Sequence, residues 1–235
     1  MNEYDNIYSK MTETNYNYLN SNLFSFDSSL TTSCKNSLDN LDSPGQQQKC
    51  VALVCAGSFD FSDKWHEFKN KITSYAPLSK LVFPELHHTF LVIKQWKQCD
   101  NSSNISAVTP SECESLLQLL VDVPKYSVIF DRFIPVKTGL VLCGTPTINI
   151  NLIRDHIRKS VCIDPESYHL NICHMTMLRW TSQLTDDEQR TFLEWIKSLG
   201  VQRYVTLRVN TIDIVHATWL MDQKDISVLD SIKLN

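Results

Sequence analysis

His87-His88-Thr89-Phe90-Leu91 and His174-Met175-Thr176-Met177-Leu178-Arg179 share one pattern: histidine, any residue, threonine, then an apolar run. With 7 His and 17 Thr in 235 residues, chance supplies about half an H-x-T tripeptide, yet three occur, the third at His216-Ala217-Thr218. The first two share a lead-in. Before His87 come an apolar run from Cys50 and, after the capping residue Ser62, a helical pattern of Trp65, Phe68, Ile72 and Tyr75. Before His174 come an apolar run from Leu140 and, after Thr147, a helical pattern of Ile150, Ile153, Ile157 and Val161. Arg154, Arg158 and Lys159 are among the polar residues of this second helix. The same β-α-β order with the tripeptide in the same place predicts a duplicated lobe. His216 lacks that lead-in.

Outward from these motifs, strand and helix patterns alternate. Thr109-Pro110-Ser111-Glu112 and Thr185-Asp186-Asp187-Glu188 have capping-box spacing, and the helix after Thr185 stops at Gly200. Strands are predicted over 86–96, 126–134, 138–143, 168–180, 204–209 and 211–220. The mixture predicts an α+β fold with helices packed on antiparallel sheet.

Composition bounds the rest. In residues 1–48, 23 positions are uncharged polar (8 Asn, 8 Ser, 4 Thr, 3 Gln), so this segment is expected to be a disordered leader ahead of one domain over 49–235. Its six aromatics leave open whether it is an inert tail or a segment that docks a protein partner. The leader holds 6 acidic and 2 basic residues, so the remainder balances at 20 acidic and 20 basic. Neutrality argues against a grip on long duplex nucleic acid, which needs a basic stripe. No apolar run approaches the ~18 residues of a membrane span, and the start lacks a targeting pattern. The expected location is the cytoplasm, with the nucleus also compatible. Eight cysteines without a C-x-x-C pair, several in apolar runs, are expected to be reduced, buried thiols.

In a strand, residues i and i+2 share a face roughly 6.6 Å apart. Each motif therefore presents one imidazole and one hydroxyl together. Two such pairs from pseudo-twofold halves meet the needs of displacement at phosphorus: a base for the attacking oxygen, an acid for the leaving oxygen, and neutral donors for the non-bridging oxygens. No metal or other cofactor is needed for this chemistry.

A pair of H-x-T motifs on strands of two lobes resembles the 2H phosphoesterase superfamily, which includes RNA 2′,5′-ligase/cyclic phosphodiesterases. Arg179, five positions after His174, matches the ligase-like branch, whereas Leu86 and Cys173 stand where relatives often carry Pro. The resemblance implies a bilobal fold with a central cleft between antiparallel sheets, helices outside. It also implies cleavage of 2′,3′-cyclic or 2′,5′-linked phosphodiesters of a nucleotide or short RNA. His87 and His174 would be the catalytic acid and base, with Thr89, Thr176 and Arg179 on the phosphate.

Other residues carry competing readings. His88 faces away from His87 and is expected to be structural. His216, Tyr168 and Trp180 are candidates to line the cleft, and Trp96 and Trp219 are further stacking candidates. His169 falls on the face opposite His174. A metal site built from His87, His88, His169, Cys173 and His174 is disfavoured, because adjacent strand residues point to opposite faces. A binding module without turnover remains the alternative class.

Overall fold

The computed structural model describes residues 3–25, 49–97, 109–161, 171–218 and 226–235. In chain order these form α1 (Glu3–Ser21), β1 (Lys49–Phe61), α2 (Asp63–Tyr75), β2 (Leu81–Val82) and β3 (His88–Lys97). Then come α3 (Pro110–Leu120), β4 (Tyr126–Val136), β5 (Gly139–Pro146) and α4 (Ile150–Ser160). The chain ends with β6 (Cys173–Trp180), α5 (Asp186–Ser198), β7 (Val205–Thr218) and β8 (Ser227–Lys233).

Local signals act as expected at three helix starts. Ser62 accepts a hydrogen bond from the Trp65 N–H, and Thr109 with Glu112 and Thr185 with Glu188 form closed capping boxes. The fourth start differs. Asn149, not Thr147, caps α4, because the Thr147 hydroxyl accepts from the Ser127 N–H at 3.0 Å.

The strands pair antiparallel in the order β2-β6-β5-β4-β7-β1-β3, with β8 beside β7. This path is symmetric about the β4–β7 pair: β7-β1-β3 on one side mirrors β4-β5-β6 on the other. Helices obey the same exchange. α2 packs on α5 and α3 on α4, so swapping the halves turns one helix pair into the other. The spacing from helix cap to motif is also shared, 25 residues from Ser62 to His87 (87 − 62) and 25 from Asn149 to His174 (174 − 149). The α+β architecture of two pseudo-twofold halves is therefore as expected, with the two sheets joined into one through β4 and β7. Aromatic rings close α2 and α5 over β4: Phe68 lies 4.1 Å from Phe133 and 5.5 Å from Trp195, centroid to centroid. Of the cysteines, Cys50, Cys55, Cys113, Cys143 and Cys173 are buried free thiols, whereas Cys34, Cys99 and Cys162 lie outside the described residues. Among the described residues no helix is long and apolar enough to cross a membrane.

The expectation of a disordered leader is corrected for residues 3–25. They form α1 and a short extension packed on the second half, against β4 and α5. The polar composition hid a stripe of buried Tyr4, Tyr8 and Leu19, continued by Phe24. The Tyr8 hydroxyl donates to the Gly144 carbonyl at 2.6 Å and accepts from the Cys173 N–H at 3.0 Å, satisfying backbone groups where β5 and β6 begin to part. Gln189 of α5 donates to the Leu19 and Asn22 carbonyls at 2.8 Å each and accepts from the Phe24 N–H. Asp5 pairs with Arg132 at 2.9 Å. Residues 26–48 lie outside the described residues.

Removing the buried Tyr8 hydroxyl with Tyr8→Phe leaves two backbone groups without that partner. The expected loss is about 1–3 kcal/mol in urea unfolding; unchanged stability would mean that α1 is not docked.

Candidate active site

Both motifs open a strand. His174 is the second residue of β6, and His87 stands one residue ahead of β3. Cross-strand partners share a face while neighbours along a strand alternate, so the register can be followed across the whole sheet. Thr89 pairs with Val54; further along the same face of β1, Asp60 pairs with Thr206, and Thr206 with Ile129. Ile129 pairs with Thr145, and on that face of β5 Cys143 pairs with His174 and Val141 with Thr176. Thr89, His174 and Thr176 therefore look to one side of the sheet. The middle residues His88 and Met175 turn to the other side, both fully buried. Each motif is followed at once by a register slip, at Phe90 in β3 and at Met177 in β6. An extra residue in a ladder bends and re-aims the strand, and the two halves place it identically.

β3 and β6 are far apart along the sheet path, yet they lie alongside each other. Two polar contacts join them across the halves. His88 donates through Nδ1 to the His174 carbonyl at 3.2 Å, since a carbonyl only accepts. Arg154 of α4, fully buried, donates through Nε to the Phe90 carbonyl at 2.7 Å. Beside them, His87 donates through Nδ1 to the Glu85 carbonyl at 2.8 Å, which fixes the neutral tautomer and leaves Nε2 as an acceptor. β2 completes the edge: Val82 pairs with Arg179 and Leu81 with Trp180.

Electrostatics tie the motif residues to one another. Burial holds the His174 pKa down to about 3, helped by the fields of His87, Arg179 and Arg154. Burial also lowers His87; its bond to the Glu85 carbonyl opposes that shift, and Arg179 adds to it. His88 falls well below the ordinary range through burial, then through Arg154 and His174. The resting site thus favours two neutral imidazoles next to a guanidinium, an arrangement that an anionic ligand would raise toward imidazolium.

His87 and His174 feel the field of Arg179, and Thr89 and Thr176 lie on the same side of the sheet as His174. His88 is structural, as expected. Two candidates for lining the site are corrected. Trp180 is 1% exposed, wedged between Phe24 at 5.3 Å and Phe192 at 5.1 Å, so its ring is core. His216 pairs with Val51, whose side of β1 is opposite that of Val54, so the register turns His216 away from Thr89. Tyr168, His169, Trp219 and the side chain of Trp96 lie outside the described residues. Among the described residues, no group of three or more His, Cys, Asp or Glu could hold a metal ion. Sequence reasoning missed the burial of Arg154. The signal was present, because Arg154 falls four after Ile150 and three before Ile157 on the apolar stripe of α4.

No family model and no curated protein matches the chain. Solved structures are similar in fold. E. coli LigT bound to NADP+ is 11% identical, with 80% of this chain and 98% of that chain covered at TM-score 0.46. TT0787 of Thermus thermophilus is 12% identical, covering 79% and 97% at TM-score 0.46. A protein described as a phosphoesterase is 14% identical, covering 81% and 99% at TM-score 0.45.

The depressed histidines make stability depend on pH. Unfolded imidazoles take up protons near pH 6.5, whereas the folded ones resist, so below that point the unfolded state binds more protons and stability falls with pH. Between pH 6 and 4 the His174 share of the slope in urea unfolding is about 1.4 kcal/mol per pH unit, and the other lowered histidines steepen it in the same direction. His174→Gln should remove one share of it; an unchanged slope would contradict the shift.

Proposed function

We propose that the protein is a phosphodiesterase that hydrolyses 2′,3′-cyclic or 2′,5′-linked phosphodiesters of nucleotides or short RNA by two-histidine acid–base catalysis. The observation that carries this reading is that the two H-x-T motifs, one from each half, open strands lying side by side, with His88 of the first bonded to the His174 carbonyl of the second. His174, the more strongly held neutral, is the general base. It takes a proton from water as the water oxygen bonds to phosphorus. His87 is the general acid. Its Nδ1–H bond to the Glu85 carbonyl also supports the imidazolium, which forms at Nε2 when an anionic phosphate enters and gives its proton to the departing ribose oxygen as the P–O bond breaks. Thr89 and Thr176 donate to non-bridging oxygens, and Arg179 balances their charge. The even balance of 20 acidic and 20 basic residues after position 48 suits a short substrate over a long duplex.

Purified protein incubated without added metal with 2′,3′-cyclic nucleotides and with 2′,5′- and 3′,5′-linked dinucleotides, products read by chromatography, tests the reading. Turnover of the first two classes is expected, unchanged by EDTA, with a bell-shaped pH profile. His87→Ala or His174→Ala should remove about 10²-fold to 10⁴-fold in kcat, with ligand affinity kept within about tenfold. Thr89→Ala or Thr176→Ala should cost about 10-fold to 10³-fold. Binding of the nucleotides without any turnover would replace the enzyme by a binding module.

A further inference from the structure

Arg154 stands apart from every other cation described. It is fully buried, and among the described residues it has no salt bridge. Its Nη1 donates to Asn151 Oδ1 at 3.0 Å, its guanidinium carbon lies 5.6 Å from the centre of the Phe90 ring, and Nη2 has no hydrogen-bond partner among the described residues. Burying a guanidinium without an acid is costly, and replacing buried charge with apolar bulk is often neutral or stabilising. Packing alone therefore does not account for an arginine here.

What Arg154 holds is specific. Phe90 is the residue at which the β1–β3 register slips, so its carbonyl stands outside the regular ladder. The Nε–H of Arg154 takes that carbonyl at 2.7 Å, directly after Thr89 and three residues after His87. The donor comes from the other half of the molecule, the half that carries His174. The halves are not equivalent in this respect. With both caps and both motifs offset by 87 residues (149 − 62, 174 − 87), the counterpart of Arg154 is Glu67, an exposed residue of α2 paired with Lys64.

We infer that Arg154 is a positioning residue: it clamps the bulged Phe90 carbonyl so that His87 and Thr89 of the first half are held in working register with His174 and Thr176 of the second. This inference rests on the proposed phosphodiesterase reading for its kinetic consequence, though not for its structural one. A displacement of about 1 Å in a reacting group costs on the order of 10²-fold, and the clamp acts at that scale. Substrate affinity, set by the phosphate contacts, is little affected.

Arg154→Met keeps bulk and removes both charge and fork. The expected result is a folded protein of little-changed melting temperature, relief of the buried charge offsetting the unpaired Phe90 carbonyl, whose kcat falls about 10²-fold while KM stays within about threefold. Arg154→Lys keeps a charged donor without the rigid fork, and should recover about tenfold of the loss. Hydrogen exchange of residues 88–93 should quicken in Arg154→Met while β4 and β7 keep their protection. Native kcat in Arg154→Met, or in Arg154→Lys should the Met variant not fold, overturns the inference. So does a kcat loss that only tracks a fall in melting temperature. If the unmodified protein shows no turnover, the phosphodiesterase reading fails by itself, and hydrogen exchange alone decides the clamp: unchanged exchange in 88–93 overturns it.

Discussion

The two strands that carry the motifs sit at distant places on one sheet path, and the molecule must hold them side by side. Backbone ladders do not do this, because no ladder connects β3 with β6. Apolar packing of Phe90, Leu91, Cys173 and Met175 in one core does it, and two side-chain donors cross between the halves beside it: His88 to the His174 carbonyl, and Arg154 to the Phe90 carbonyl. Both bonds are buried, where a hydrogen bond is strongest and an unmade one most costly.

Duplication explains why so much of the chain serves this end. A unit of strand, capped helix, motif strand and bulge occurs twice, and the halves exchange partners through β4 and β7 and through their helix pairs. Symmetry places the same residue types opposite each other, but acid–base chemistry needs two unlike imidazoles. In the proposed mechanism the differences between the halves would supply that. The Glu85 carbonyl supports a proton on His87, while burial and the field of Arg154 oppose one on His174; Arg179 opposes a proton on both. α1 adds a further asymmetry, since its described contacts lie on the second half, where Tyr8 and Gln189 satisfy backbone groups.

Much of this is legible in the sequence, and the failures are instructive. The capping boxes at Thr109 and Thr185 are local devices, complete within four residues, and both form as the spacing predicts. The H-x-T spacing exploits strand alternation, also local, and correctly sets His88 apart from His87. By contrast, Trp180 reads as a stacking surface because nothing in its neighbours tells which side a strand end will present. Phe24, 156 residues earlier (180 − 24), is one of the rings that bury it. The leader fails for a related reason: composition averages over a segment, whereas docking of α1 depends on a sparse stripe of Tyr4, Tyr8 and Leu19 meeting a surface built elsewhere.

The sequence alone determined most of the elements between residues 50 and 218, their order and the duplicated motif, though not α1, β2 or β8, because hydrogen bonds and alternation within a few residues decide those. The tertiary structure alone decided that Thr89, His174 and Thr176 share one side of the sheet, that Arg154 goes inside, and that residues 3–25 belong to the folded body. Those outcomes depend on register slips and on contacts between residues far apart in the chain, whose energies exist only once the sheet has closed.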